Sequence, residues 1–274
     1  MSAQNTDESG HNRSWSWYPS LYGGSAAYYA AGRMAYPPEL AAALATELGL
    51  DGTGTLLDVG CGPGSLTLLL APKFARVIGV DADQEMLDEA VRQAAAQHVD
   101  NVSWQRMRAE DLPAKLPSVD VITFAQSFHW MNRPLVAAAV RPLVAPGGAL
   151  VHVSATTHRG VATGEQGPPW DAITELIETF LGPKRPVPGD SPGNEDEIYR
   201  AAGFEDPRTI ELPSRIVHRS ADDIVAAVYS LSSSTPHLFG DQLPAFDRNL
   251  RVLLGKAGDE FTEWTRPIVL HLWR

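Results

Sequence analysis

The sequence is short of cysteine, of cations and of long apolar runs. It holds one cysteine, Cys61, in 274 residues, and 22 Lys and Arg stand against 33 Asp and Glu, a formal charge of −11. A lone cysteine excludes an internal disulfide framework and any cysteine-rich zinc site, and it fits a reducing compartment. No window approaches the ~20 apolar residues that a membrane span needs, so no membrane association is expected. The first residues, MSAQNTDESGHNRS, are polar and acidic, unlike a secretory signal. A cytoplasmic location is therefore the expectation. An acidic surface without a Lys/Arg cluster repels phosphate backbones, so nucleic acid is not an expected partner. What the sequence does have is apolar mass, 44% hydrophobic residues. A chain of this length buries roughly three quarters of its unfolded surface and needs no disulfide or metal to hold a core.

Residues 1–14 read as a disordered tail and 15–37 as an aromatic arm or lid. The arm carries Trp15, Trp17, Tyr18, Tyr22, Tyr28, Tyr29 and Tyr36. These rings either pack the arm onto the body or roof a ligand site, where a tyrosine offers an apolar face and a polar handle together.

From Pro37 onward, helical and strand patterns alternate. Pro38 to Leu48 has helical spacing with proline at its start, and Thr55 to Val59 is a short apolar run closed by glycines. Ser65 to Phe74 reads as helix and Ala75 to Val80 as strand. Asp83 then caps a helix whose Met86, Leu87, Ala90, Val91 and Ala94 share one face. Strands follow at Val102 to Met107, Val119 to Phe124 and Ala149 to Val153, with a helix at Asn132 to Leu143 between the last two. Continuous apolar strands alternating with amphipathic helices predict an α/β, doubly wound, mostly parallel sheet. Residues 38–155 form this core. Residues 156–205 read as a cap insertion containing a proline-rich loop at 182–193, and 206–274 as the rest of the core with further cap helices. The strands at Pro207 to Leu212 and Pro267 to Trp273 are expected to pair as a hairpin at one sheet edge.

The sharpest local signal is Asp58-Val59-Gly60-Cys61-Gly62-Pro63-Gly64, a strand that breaks into glycines and opens a helix. Glycines there let a ligand approach the backbone. The spacing G-x-G-x-G is not that of a dinucleotide fingerprint, and a phosphate loop's Lys-Ser/Thr is missing. The next strand ends at Asp81, placed to accept two ribose hydroxyls, and the one after it leads to Arg108-Ala109-Glu110-Asp111-Leu112-Pro113, whose acids and backbone can pair with an adenine amino edge. Strand ends on one side of a parallel sheet converge on one crevice. The pattern describes a nucleoside site without a phosphate clamp.

In their order, DVGCGPG, VIGVDAD with Met86, RAEDLP, AQSFHW and APGG resemble the motifs of class I S-adenosylmethionine-dependent methyltransferases. Tyr29-Ala30-Ala31-Gly32-Arg33 with Tyr36-Pro37, and Phe128-His129-Trp130, are similar to the trans-aconitate methyltransferase-like group of small-molecule methyltransferases. The resemblance implies a Rossmann-like, seven-stranded methyltransferase sheet with an antiparallel C-terminal edge strand and a helical cap. It implies S-adenosyl-L-methionine as cofactor, with S-adenosyl-L-homocysteine as product. It further implies that Gly60, Cys61 and Gly62 line the methionine end near Asp58, that Asp81 takes the ribose, and that Ala82, Met86, Ala109 and Glu110 surround the adenine. Gln126 would face the sulfonium. Arg33, beside Tyr29, would pair with the cofactor carboxylate or else pin the arm to the body.

His129, His158 and Tyr22 are the catalytic candidates, as base, orienting group or ring face. The remaining histidines show no metal-ligand spacing, so no metal is expected. Trp130, Trp170, Phe180 and Phe239 are the large apolar residues available to an acceptor pocket, although each also suits a cap core. The expected reaction is methylation of a small, bulky, partly apolar molecule of secondary metabolism, on oxygen, nitrogen or carbon. An alkene or electron-rich ring is a specific candidate acceptor, because aromatic faces stabilise developing positive charge. A carboxylate O-methyltransferase, a non-catalytic cofactor-binding protein and an NAD-linked oxidoreductase are the alternatives. The arm leaves open a homo-oligomer with exchanged arms.

Overall fold

The computed structural model describes residues 21–162, 166–183 and 194–274. The tail, the arm as far as residue 20 and most of the proline-rich loop lie outside the described residues.

The first described element is one that the aromatic arm did not announce, a helix α1 (Ala26–Gly32). The alternation then unfolds as α2 (Pro38–Leu48), β1 (Thr55–Val59), α3 (Ser65–Leu70), β2 (Arg76–Asp81), α4 (Gln84–Ala96), β3 (Val102–Arg106), β4 (Val119–Ala125), α5 (Arg133–Val140) and β5 (Val144–Ser154). Local chemistry sets the boundaries. Pro38 opens α2, and Gly49 closes it in the left-handed region at φ 64°. The Asp83 carboxylate accepts the Glu85 N–H at 2.9 Å to start α4. All five residues of β1 are buried, as a strand covered on both faces requires.

The second half comprises β6 (Val161–Ala162), α6 (Trp170–Leu181), α7 (Glu195–Ala201), β7 (Arg208–Leu212), β8 (Ile216–Ser220), α8 (Ala221–Tyr229), α9 (Pro236–Phe239), α10 (Leu243–Ala257), β9 (Glu260–Trp264) and β10 (Ile268–Trp273). The main sheet has seven strands in the order β3-β2-β1-β4-β5-β10-β7. β1 runs parallel to β2 and β4, β2 to β3, and β4 to β5. β10 is antiparallel to both β5 and β7. The C-terminal strand is thus antiparallel, as expected, but it stands one place in from the edge, which β7 occupies. Its buried Leu270, Leu272 and Trp273 suit that inner position.

Two cores flank the sheet. Phe124, Phe128, Val136, Val140, Tyr199 and Trp273 fill one face, and Leu40, Leu44, Leu66, Leu70 and Phe74 the other. A third core, with Phe246, Leu250, Phe239 and Phe261, belongs to the cap. That cap is not helical alone: β6, β9 and β8 form a second, antiparallel sheet of three strands.

Candidate active site

The strand order reverses between β1 and β4, and in an open α/β sheet this switch point is where a crevice opens at the carboxyl ends of the strands. A cavity of about 380 Å³ lies there, closed over by the α1 segment. Its size falls in the range of roughly 300–1,000 Å³ common for small-molecule sites.

The glycine loop forms its floor. The N–H groups of Gly60 and Cys61 both donate to the Val80 carbonyl, at 2.8 and 3.1 Å, fastening the loop to β2. Gly60 holds φ 68°, and a Cβ there would stand 2.5 Å from the Ser127 Cβ. Gly62 holds φ 54°, and a Cβ there would meet no atom within 4 Å. One glycine lets two strand ends close together, and the other leaves open space facing a ligand.

Two carboxylates stand over this floor. Asp81 accepts the Gly62 N–H at 2.8 Å on Oδ2 and the Asp83 N–H at 2.9 Å on Oδ1. Burial pushes its pKa up to about 6 against the pull of those two hydrogen bonds. Asp58 accepts the Thr67 hydroxyl at 2.5 Å and the Thr123 hydroxyl at 2.7 Å. Its carboxyl is also raised by burial, which the two threonines oppose. With both oxygens held by α3 and β4, Asp58 is a fixed charge and not a side chain free to swing towards a ligand.

Further around the cavity, Glu110 accepts the Asn132 N–H at 2.9 Å and faces Arg108 at 3.4 Å. Gln126, just past β4, takes the left-handed conformation at φ 58°, and its Nε2 donates to the Val153 carbonyl at 3.1 Å. Such strain in a residue other than glycine is found where surrounding structure over-determines it, often at functional sites. The Arg33 guanidinium lies 4.5 Å over the Tyr29 ring, and it donates to Ser230 Oγ at 2.8 Å and to the Ser230 carbonyl at 2.7 Å. Arg33 therefore pins α1 to α8 and also lines the cavity.

The residues expected to hold the cofactor, Tyr29, Arg33, Asp58, Gly60, Cys61, Gly62, Asp81, Ala82, Met86, Ala109, Glu110 and Gln126, all line this one cavity. Tyr22 and Trp130 line it too, edge to face with ring centroids 5.9 Å apart. His129 and His158 are not among the lining residues. The His129 ring packs 4.8 Å from that of Trp130, and the His158 carbonyl accepts a hydrogen bond from Arg219. Three of the expected pocket aromatics also stand elsewhere. Phe180 and Phe239 pack on Phe246, at centroid distances of 5.4 and 4.0 Å, inside the cap core. Trp170 donates its Nε1–H to Glu263 at 2.7 Å. Burying these rings against one another is what gives the cap a core of its own.

Met107, Ser127, Met131 and Thr157 line the cavity without having been foreseen. Met107 and Ser127 follow the ends of β3 and β4 closely, so the rule that strand ends converge would have found them. Thr157 carried no such signal. Among the described residues, no group of three or more His, Cys, Asp or Glu is placed to hold a metal ion.

Residues 56–148, the stretch that supplies the glycine loop and every strand end of the crevice, match the methyltransferase domain family. Residues 56–148 thus carry a methyltransferase domain, and the sheet around them has the class I methyltransferase fold. A solved structure from Anaeromyxobacter dehalogenans, described as a "Putative Type II Methyltransferase", superposes with a TM-score of 0.52 at 25% identity, covering 88% of this chain and 97% of that one. Trans-aconitate 2-methyltransferase of Azoarcus is 39% identical over 113 residues, 39% of this chain and 41% of that protein. An uncharacterised methyltransferase of Schizosaccharomyces pombe is 30% identical over 156 residues, 56% of this chain and 57% of that protein. The chain thus spans about half the length of these curated methyltransferases. The [4+2]-cyclase SpnF shares the fold, with a TM-score of 0.51 at 21% identity over 89% of this chain and 83% of that one. A methyltransferase fold therefore does not by itself name the reaction, which has to be argued from the site.

Proposed function

We propose that this protein transfers a methyl group from S-adenosylmethionine to a small, bulky, partly apolar acceptor. The observation that carries the reading is one cavity walled both by the glycine loop with Asp81 and by the rings of Tyr22, Tyr29, Tyr36 and Trp130. The residues fit the cofactor. Gly62 leaves space beside a half-buried carboxylate, Asp81, whose oxygens each keep a lone pair for a ribose hydroxyl. Met86, Met107 and Ala109 supply apolar walls for an adenine, and Arg33 a cation for the carboxylate.

Bound there, the cofactor supplies a methyl group already activated by its sulfonium. The chain's own work is then to align the acceptor and exclude water, and proximity and orientation are worth roughly 7–11 kcal/mol in such reactions. No histidine lines the cavity, and burial holds the Tyr22 and Tyr36 phenols protonated well above their usual range. In this reading the lining carboxylates Asp58, Asp81 and Glu110 are taken up by two threonines, the ribose and the adenine edge, so the site suits an acceptor that has no proton to lose before attack, such as an alkene or an electron-rich ring. The ring faces of Tyr22 and Trp130 then lie where positive charge is eased.

A second reading, carboxylate O-methylation, is favoured by the absence of histidine from the described cavity lining, since a carboxylate acceptor is already ionised and needs no base. Incubating the protein with isotope-labelled S-adenosylmethionine and fractionated metabolites tests both readings. Label transferred to a neutral, apolar product supports the first, and label in a methyl ester the second. A chain whose melting temperature is unmoved by saturating S-adenosylhomocysteine refutes both. Binding without turnover on any fraction would favour a non-catalytic cofactor-binding protein.

A further inference from the structure

Arg219 on β8 and Glu263 on β9 are 5% and 0% exposed, with Nη1 and Oε2 3.3 Å apart. Two charges placed among apolar neighbours are costly to bury unless their donors and acceptors are used. Here five partners are spread over four segments of the chain. The guanidinium donates to the carbonyls of Gly32 at 2.8 Å, Asp223 at 2.9 Å and His158 at 3.0 Å. Glu263 Oε1 accepts the Gly160 N–H at 2.9 Å and the Trp170 Nε1–H at 2.7 Å.

Two of those carbonyls adjoin the cavity wall. Gly32 ends α1 and is followed by Arg33, and His158 follows Thr157; both Arg33 and Thr157 line the cavity. The Met34 N–H donates to the Thr157 carbonyl at 2.7 Å, tying the two stretches together. Gly32 also lies flush on α8, where a Cβ would stand 2.4 Å from the Ala226 carbonyl. The end of α1 is therefore gripped on one side by the α8 backbone and on the other by Arg219. A small rotation of α1 would carry the Arg33 side chain away from its seat on Ser230.

The geometry points to Arg219 and Glu263 as positioning residues that set where Arg33 stands, and hence how the carboxylate end of the cofactor is held. This rests on the reading of Arg33 as the carboxylate's partner. A lysine at 219 offers a point charge and not a planar fork, so it cannot hold the same spread of carbonyls.

The test compares two ligands on the wild-type chain and on the variants R219K and E263Q, by calorimetry with melting temperatures alongside. S-adenosylhomocysteine carries the carboxylate, whereas 5′-methylthioadenosine keeps the nucleoside and thioether without it. Loss of one charge-assisted contact predicts about a ten- to hundredfold weaker S-adenosylhomocysteine in each folded variant, with 5′-methylthioadenosine unchanged. E263Q is nearly isosteric and serves if R219K fails to fold. In the double variant R33A/E263Q, the loss should be no greater than in R33A alone. Equal weakening of both ligands, unaltered S-adenosylhomocysteine binding or additive losses would overturn the positioning role. A wild-type chain that binds neither ligand removes the methyltransferase reading itself, and this role with it.

Discussion

Lowering the pH from 8 to 5 titrates Asp81 across its raised pKa of about 6. If its ionised carboxylate accepts the ribose hydroxyls, cofactor affinity follows the ionised fraction. That fraction is close to nine tenths at pH 7 and about one tenth at pH 5, so binding should weaken roughly tenfold, about 1.4 kcal/mol. Stability moves the other way. The folded pKa lies above the model value of 3.8, so the contribution of this group to the ligand-free fold is fully present below about pH 4 and lost as pH rises through about 6. The ligand-free protein and the complex should therefore show opposite pH trends from this one side chain. Asp81→Asn adds a second measurement. Its amide must turn an N–H towards either the Gly62 or the Asp83 N–H, both of which now donate to the carboxylate. The remaining amide oxygen still accepts, so losing one hydrogen bond to a charged acceptor should cost about 1.5–3 kcal/mol of affinity and flatten the pH profile. Calorimetric titration with 5′-methylthioadenosine at several pH values is the assay, since that ligand has no amino-acid end to titrate. Affinity constant from pH 5 to 8, or an Asp81→Asn variant that keeps the wild-type slope, would refute the assignment.

Other substitutions probe the floor, the roof and the cap. Gly60→Ala places a Cβ 2.5 Å from the Ser127 Cβ at a φ of 68°, so S-adenosylhomocysteine should no longer raise the melting temperature. Tyr22→Phe keeps the ring against Trp130 and should leave kcat/KM near wild type, whereas Tyr22→Ala should lower it by about tenfold or more, the order of one ring contact at a reacting centre; turnover that survives both changes would make the ring packing alone. Phe246→Ala opens a void in the middle of the cap core and should cost about 3–5 kcal/mol, read from urea unfolding.

The parallel half of the molecule was legible because strands covered on both faces are written as continuous apolar runs. Leu56, Leu57 and Val59, or Val77, Ile78 and Val80, announce themselves without any structure. The cofactor side was legible for a related reason: glycines and acids placed directly after strands can converge on only one crevice. The small cap sheet was hidden because its inward positions at β8 and β9 include Arg219 and Glu263, which erase the alternation of a half-buried strand. Only their pairing, which no local pattern records, makes those positions interior. Cap aromatics such as Phe180 and Phe239 look alike in sequence whether they face one another or a ligand. Helix α1, AAYYAAG, was masked by its tyrosines, and its docking on α8 depends on the contact made by Gly32.

The insertion of β10 between β5 and β7 also bears on how such a protein diversifies. The excursion from β5 runs out to the edge strand β7, and the one from β7 returns to β10, the strand between them, so both stay at one side of the sheet. The strands carrying the glycine loop, Asp81 and Ala109 lie at the opposite side, and apart from the docking of α1 the cap is built from those two excursions. Exchanging both segments together with residues 21–36, which carry Tyr22, Tyr29 and Tyr36 of the cavity wall, would alter the acceptor wall while β1 to β4 keep their hydrogen bonds and register. The fold is laid out as a constant half and a graftable half, and chimeras cut at the ends of β5, β7 and β10 are the natural way to move acceptor preference between relatives.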